Sequence, residues 1–316
     1  MSLASTTPWA LALLACGAAA APLQDPPACR DVRLVDVGWS DNAATTGLAA
    51  VVLEGLDYRP SITYASVRVA FAGMAARNVD AFLGYWKPVM SPRIEPFVKA
   101  GQIQVLEQPN LTGAKATLAV PDYLHAQGLK RFADIHRFEK ALDGRIFGIE
   151  PGTGSNALIQ RMIEKNEFGV ANFRRMESSE SGMLTEVQRA VKDRRPIVFL
   201  GWEPHPMNVQ FRIRYLEGGD AVFGPNFGES SIYTAVQAGY GRRCPNVGAL
   251  LANLQFTTDI ENQVMAAIVE KTSPVQAARD WLRKNPEVLA TWLRGVRSFG
   301  GEDGLAAVRK ALLGAP

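Results

Sequence analysis

Histidine is scarce in this chain, and so is any excess of charge. The three histidines, His125, His136 and His205, are scattered, with none of the spacing that zinc sites use. No serine has a convincing partner base, so nucleophilic catalysis lacks its pair. The Ser178-Ser179-Glu180-Ser181 run reads as a polar turn ahead of a helix over 183–191. Lys and Arg number 34 against 31 Asp and Glu, a formal charge of +3. So small an excess predicts no nucleic-acid or acidic-membrane partner. Internal repeats are absent, and the alanines near the N-terminus are the one low-complexity stretch. What remains is ordinary for a globular protein: 316 residues, 47% hydrophobic and 21% charged, a length that suits two lobes or domains.

The N-terminus lacks charged side chains altogether from Met1 to Ala21. Its apolar run, Trp9 to Ala15, is too short for a transmembrane helix and leads into Gly17-Ala18-Ala19-Ala20-Ala21-Pro22. That order predicts a secretory signal over residues 1–20, cleaved after Ala20, and a soluble periplasmic protein. A second reading comes from Leu13-Leu14-Ala15-Cys16, which loosely resembles a lipoprotein box and would anchor the chain through Cys16. Only three cysteines are present, which leaves Cys29 and Cys244 in the mature chain. Export invites a disulfide between them; two buried free thiols are the other reading.

Beyond a proline-rich entry, strands and helices alternate. Strands are predicted over 32–37, 61–69, 80–83, 115–120, 145–149 and 196–200, with helices over 43–56 and 156–165. From Pro245 onward the chain reads as helical, over 247–254, 259–270, 274–284, 287–294 and 305–313. Such βα alternation predicts an α/β fold with open, mainly parallel sheets, in which ligands bind at the carboxyl ends of strands.

Three tryptophans fall at or just past those ends. Trp39, Trp86 and Trp202 each follow a strand closely, with Gly38, Gly84 and Gly201 nearby. Their loops are rich in Gly, Pro, Asp and Ser, where packing is not the obvious purpose, although three packing residues beneath surface loops is the plainer alternative. An indole face attracts cations, and each desolvated contact contributes about 1–2 kcal/mol. A quaternary ammonium has no N–H, so aromatic faces and a carboxylate are what can hold it. Asp41, two residues past Trp39, is a candidate carboxylate; equally, it could cap the helix beginning near Ala43. Trp281 and Trp292 lie on amphipathic helices and read as packing residues.

Four strings carry a resemblance: Asp36-Val37-Gly38-Trp39-Ser40-Asp41, Phe82-Leu83-Gly84-Tyr85-Trp86-Lys87-Pro88, Gly148-Ile149-Glu150-Pro151-Gly152, and Phe199-Leu200-Gly201-Trp202-Glu203-Pro204-His205-Pro206-Met207-Asn208. With Phe223-Gly224-Pro225-Asn226, Cys244-Pro245-Asn246-Val247-Gly248 and Asp303-Gly304-Leu305-Ala306-Ala307-Val308 they resemble the choline-binding receptors of ABC importers, within the wider glycine betaine/choline-binding family. The resemblance implies a two-lobe periplasmic-binding-protein fold, type II-like, hinged between lobes. Lobe I would comprise 29–113 and 208–316, and lobe II 114–207. It further implies an aromatic box of Trp39, Trp86 and Trp202, a ligand contact from Asp41, a Cys29–Cys244 bridge and no catalysis. The implied partners are a quaternary-ammonium ligand and an importer permease; no cofactor is expected, and the receptor itself would be a monomer.

Two positions depart from that pattern. Where the choline receptors have a tyrosine as the fourth wall of the box, this chain has Ala116. Where they have an asparagine after Glu-Pro-Gly, it has Thr153. Carnitine or glycine betaine could use the vacated room, and Tyr85 could refill it, although neighbours on a strand face opposite ways. One rival is of a different class. Gly152-x-Gly154-x-x-Ala157, with Glu177 beyond it, matches a relaxed dinucleotide fingerprint and would make the chain a nucleotide-dependent enzyme. A receptor that signals without transporting is a third reading.

Overall fold

Burial in the first strand, β1 (Asp31–Asp36), sets the pattern for the molecule: Val32, Leu34 and Val35 are wholly buried and Arg33 reaches the surface. The structure, a computed structural model, describes residues 24–314. The expected signal and Cys16 lie outside the described residues. The remaining strands are β2 (Arg59–Tyr64), β3 (Ala81–Lys87), β4 (Ile103–Pro121), β5 (Arg145–Phe147), β6 (Arg174–Met176), β7 (Phe199–Glu203), β8 (Ile213–Tyr215) and β9 (Glu229–Gln237). They form one sheet in the order β2-β1-β3-β9-β4-β7-β5-β6, with β8 also on β4.

Pairing is parallel for β1 with β2 and β3, and for β5 with β6 and β7. These are the open parallel halves expected of two α/β lobes. Antiparallel pairing enters through β4 and β9, the strands that join the halves. Over its 19 residues β4 pairs first with β9 and then with β7, and Lys115 touches both registers.

Helix α1 (Ser40–Gly55) is the central beam of the first lobe. Its residues from Ser40 to Leu53 are all buried, and small side chains let neighbours approach. A Cβ on Gly47 would stand 2.7 Å from the carbonyl oxygen of Pro274, at the start of the helix Pro274–Lys284. A helix packed on every side holds its N-terminal turn rigidly, and Trp39 and Asp41 lie there. Further helices are α2 (Val67–Ala75), α3 (Ser91–Lys99), α4 (Asp122–Ala126), α5 (Gly154–Glu164) and α6 (Glu180–Lys192). No helix among the described residues is long and apolar enough to cross a membrane.

Two expectations need correction. The strand over 61–69 stops at Tyr64: Ser66 caps α2 by accepting from the Val69 N–H, and Val67, Ala70, Phe71 and Met74 are buried at helical spacing. Valines at 67 and 69 made the segment look like a strand. Trp86 and Trp202 lie inside strands, not in loops beyond them. A bulge after Phe82 carries β3 past Gly84, so Trp86 pairs with Ile232, and Trp202 pairs with Ala116 across β4 and β7.

Cys29 and Cys244 form a disulfide with Cα atoms 5.6 Å apart, closing 215 residues of sequence. Asp25 reinforces the same seam by accepting from the Asn246 and Val247 N–H groups. Reducing the bridge is expected to lower stability by about 2–5 kcal/mol, mainly by freeing the unfolded chain. Urea unfolding with and without reductant checks this; coincident midpoints would contradict it.

Candidate ligand-binding site

Each lobe presents a strand, a tight turn and a helix N-terminus to the other. In the first lobe Gly38, with φ of 88°, turns the chain out of β1. The Asp36 carboxylate accepts from the Gly38 N–H at 2.7 Å, and Asn42 Oδ1 accepts from the Val37 N–H at 3.0 Å. In the second lobe Asn156 does the equivalent work. Its Oδ1 accepts from the Ile149 N–H at 3.0 Å, and its Nδ2 donates to the carbonyls of Ile149 and Glu150. Trp39 and Asp41 ride on the first turn; Thr153, Gly154 and Ser155 ride on the second.

Between them lies a small cavity, about 40 Å³ as measured by the space open to the centre of a water molecule. Trp39, Asp41, Trp86, Val89 and Met90 line it from the first lobe, and Ala116, Ile149, Thr153, Gly154, Ser155, Leu200 and Trp202 from the second. All six residues singled out from the sequence, Trp39, Asp41, Trp86, Ala116, Thr153 and Trp202, therefore meet at one place, and all are buried. Tyr85 does not line it. Its hydroxyl shares a hydrogen bond with Ser91, and its ring leans on Tyr233, on the opposite face of β3.

Asp41 is the charged group on the cavity wall. It does not cap α1: the cap position is Trp39, and Asp41 sits in the first turn. Its Oδ2 accepts from Trp86 Nε1 at 3.0 Å, while its buried Oδ1 has no partner. Burial, and then the nearby Glu180 charge, push its pKa up from 3.8 to about 7. No Lys or Arg lines the cavity. The site therefore holds a desolvated carboxylate among three indoles and has no cation of its own to balance it.

A buried polar seam holds the lobes together beside the cavity. Trp39 Nε1 donates to Glu150 Oε2 at 2.9 Å, and the Glu180 N–H donates to Glu150 Oε1 at 2.8 Å. Ser40 donates to Glu180 through its N–H at 3.0 Å and its hydroxyl at 2.6 Å. His205 Nδ1 accepts from the Met207 N–H, so its proton resides on Nε2, 3.2 Å from Glu180 Oε1 and 3.0 Å from Ser40 Oγ. With the serine hydroxyl donating to the carboxylate, this trio is no nucleophile–base pair. Sequence reading missed Ser40, Glu150 and Glu180 as functional positions. The neighbours of Trp39 and the Gly-Ile-Glu-Pro-Gly string were the available signals.

The dinucleotide reading fails on its own geometry. Ala157, which should pack helix against strand, is exposed. Glu177, the acid for a ribose, is occupied by Arg175 at 2.8 Å and by Asn156 Nδ2 at 3.0 Å. Among the described residues no group of three or more His, Cys, Asp or Glu could hold a metal ion.

Known proteins share this fold. Residues 30–284 match a family described as the substrate binding domain of an ABC-type glycine betaine transport system. The chain resembles the structure of an ABC-transporter choline-binding protein in complex with choline, with a TM-score of 0.88 and 46% identity, over 91% of this chain and all of that one. Against an ABC-transporter choline-binding protein in an unliganded semi-closed conformation, the TM-score is 0.82 at 46% identity, over 90% and 99% of the two chains. It is also 31% identical to the glycine betaine/carnitine transport binding protein GbuC of Listeria monocytogenes over 158 residues, 50% of this chain and 52% of that protein.

Proposed function

We propose, from the premise that this chain belongs to the family of substrate-binding domains of ABC-type glycine betaine transport systems, that it captures choline, or a close quaternary-ammonium relative, between its lobes. The family is one of binding proteins and not of enzymes. The ammonium sits among Trp39, Trp86 and Trp202, whose indole faces attract it, and Asp41 balances its charge. Thr153 and Ser155 meet the ligand's polar end, and Ala116 lies beside the box, opposite Trp202. The lobes close on the ligand, and the closed receptor delivers it to an importer permease outside the cytoplasm.

One observation carries this reading: Asp41 Oδ1 is buried without a partner on the wall of an aromatic cavity that holds no basic residue. An unpaired buried carboxylate is costly and a cation relieves it; the three indole faces around it favour a cation that asks for no hydrogen bonds. Intrinsic tryptophan fluorescence against choline, glycine betaine, carnitine, arginine and glucose tests it. Saturable change is expected with the quaternary ammonium compounds alone; response to none of those three would refute the proposal.

A second reading, capture of the bulkier carnitine or of glycine betaine, rests on the space at Ala116, which Tyr85 does not refill. Ala116→Tyr is expected to improve choline binding about tenfold by adding an aromatic face. If a bulkier compound is the natural ligand, the same change weakens that ligand instead. Titrating both on one variant separates the readings, and unchanged affinity for all would remove residue 116 from the site.

The lobe division we propose keeps the outward crossing of the hinge near 113 and moves the return crossing from 208 to about 228. Residues 213–215 pair with the end of β4, and Phe223 packs on Phe132, both within the second lobe.

A further inference from the structure

The Gly152-x-Gly154-x-x-Ala157 turn has a use unrelated to nucleotides. Gly152 and Ala157 are exposed; Gly154 is buried. It opens α5 in the second lobe and stands against the segment of the first lobe that links β3 to α3. A Cβ on Gly154 would lie 2.3 Å from the carbonyl oxygen of Val89, 3.0 Å from its carbonyl carbon and 3.1 Å from its Cγ2. A backbone carbonyl cannot rotate away as a side chain can. Arg93 Nη2 donates to the carbonyl oxygen of Thr153 at 3.0 Å, so the same two segments also meet one residue away. Val89 and Gly154 both line the cavity, at the line where the lobes touch.

Backbone conformation does not demand glycine here. Position 154 lies outside the left-handed region, and alanine in the first turn of a helix would favour the helix. Close approach of another backbone is the remaining reason for a residue without a side chain. On the reading that the lobes close over a ligand, that approach belongs to the shut state. We infer that Gly154 sets how far the two lobes close on the ligand, acting as a positioning residue whose missing side chain lets the Val89 carbonyl seat against the start of α5.

The inference rests on the reading that the lobes close over a bound ligand. An ordinary Cβ contact begins near 3.4 Å, so an alanine would hold this seam about 1 Å short. The indoles and Asp41 would then meet the ligand incompletely, and the bond from Trp39 to Glu150 would stretch. Gly154→Ala should weaken choline binding roughly tenfold and Gly154→Val at least a hundredfold, with unfolding midpoints no lower than the parent's for the alanine variant.

Indole N–H resonances read closure directly. Trp39 Nε1 donates across the lobes to Glu150, whereas Trp86 Nε1 donates to Asp41 within one lobe. In ¹⁵N-labelled protein with choline chloride, the Trp39 indole proton of the parent should be shifted and protected from exchange. In Gly154→Val it should stay solvent-exposed, while the unliganded Trp86 signal is the same in both. Parental affinity with a parental Trp39 signal in Gly154→Val would overturn the inference. So would a lowered unfolding midpoint in Gly154→Ala, which would make the glycine a requirement of the fold. If the parent binds no quaternary ammonium, the proposed function fails, and Trp39 indole exchange in unliganded protein still decides closure: greater protection in the parent than in Gly154→Val supports the inference, and equal exchange refutes it.

Discussion

Asp41→Asn is expected to weaken choline binding by about 3–4 kcal/mol, several hundredfold, because it removes the one charge opposing a desolvated ammonium. Asparagine keeps the shape and can still accept from Trp86 Nε1, so the fold and the indole geometry persist. Glycine betaine should lose less, since its own carboxylate already offsets its ammonium. Equal losses for the two ligands would show that Asp41 does not balance ligand charge. The pH profile gives the same claim a sign. Burial and Glu180 lift Asp41 from 3.8 to about 7, and choline binds the ionised form. As pH falls through about 7, protons compete with the ligand and affinity should drop by up to tenfold per unit. Stability of the empty protein runs the other way. A raised folded-state pKa means its contribution is complete at pH values below the unfolded 3.8 and is lost as pH rises through about 7. Burial raises Asp36, to about 6, and Glu150 as well, so some pH dependence survives in Asp41→Asn. The steep part near 7 should vanish, and calorimetric titrations of parent and variant from pH 5.5 to 8.5 measure it.

Trp86→Ala should cost choline binding about 3 kcal/mol, more than a cation–π face alone, because two functions leave together. The indole face goes, and so does the N–H that donates to Asp41 Oδ2 at 3.0 Å. Trp86→Phe separates the two. It keeps an aromatic face and should cost only about 1 kcal/mol. Because the lost hydrogen bond lowers the Asp41 pKa, the midpoint of the pH profile should move above 7 in the phenylalanine variant. A midpoint that stays put would mean the indole N–H does not tune Asp41. Trp86 lies within β3 opposite Ile232, so urea unfolding must accompany the binding data.

The residues that line the cavity were legible because their chemistry is local. A tryptophan beside a glycine at a strand end and an aspartate two residues on declare themselves in a short string, and the resemblance drew Ala116 and Thr153 into the same site. Strand alternation also placed Tyr85 on the wrong face to join Trp86. What holds the lobes together was not legible. Ser40, Glu150, Glu180 and His205 converge from four segments, and hydrogen bonds between them depend on how the hinge closes, which no spacing encodes. The same limit hid the role of Gly154, whose meaning lies in the Val89 carbonyl more than sixty residues earlier in the chain. Boundaries failed for local reasons. The bulge that carries β3 through Gly84 made glycine look like a strand end, and valines at 67 and 69 disguised the start of α2.

The central claim is that charge, held by indole faces and Asp41, secures the ligand. Titrating the protein with choline and with 3,3-dimethylbutan-1-ol, in which a carbon replaces the ammonium nitrogen at nearly the same shape, tests it most directly. Choline should bind saturably at one site, and the neutral isostere at least a hundredfold more weakly, since it forfeits the cation–π contacts and leaves Asp41 unpaired. Equal affinity for the two compounds would contradict the account.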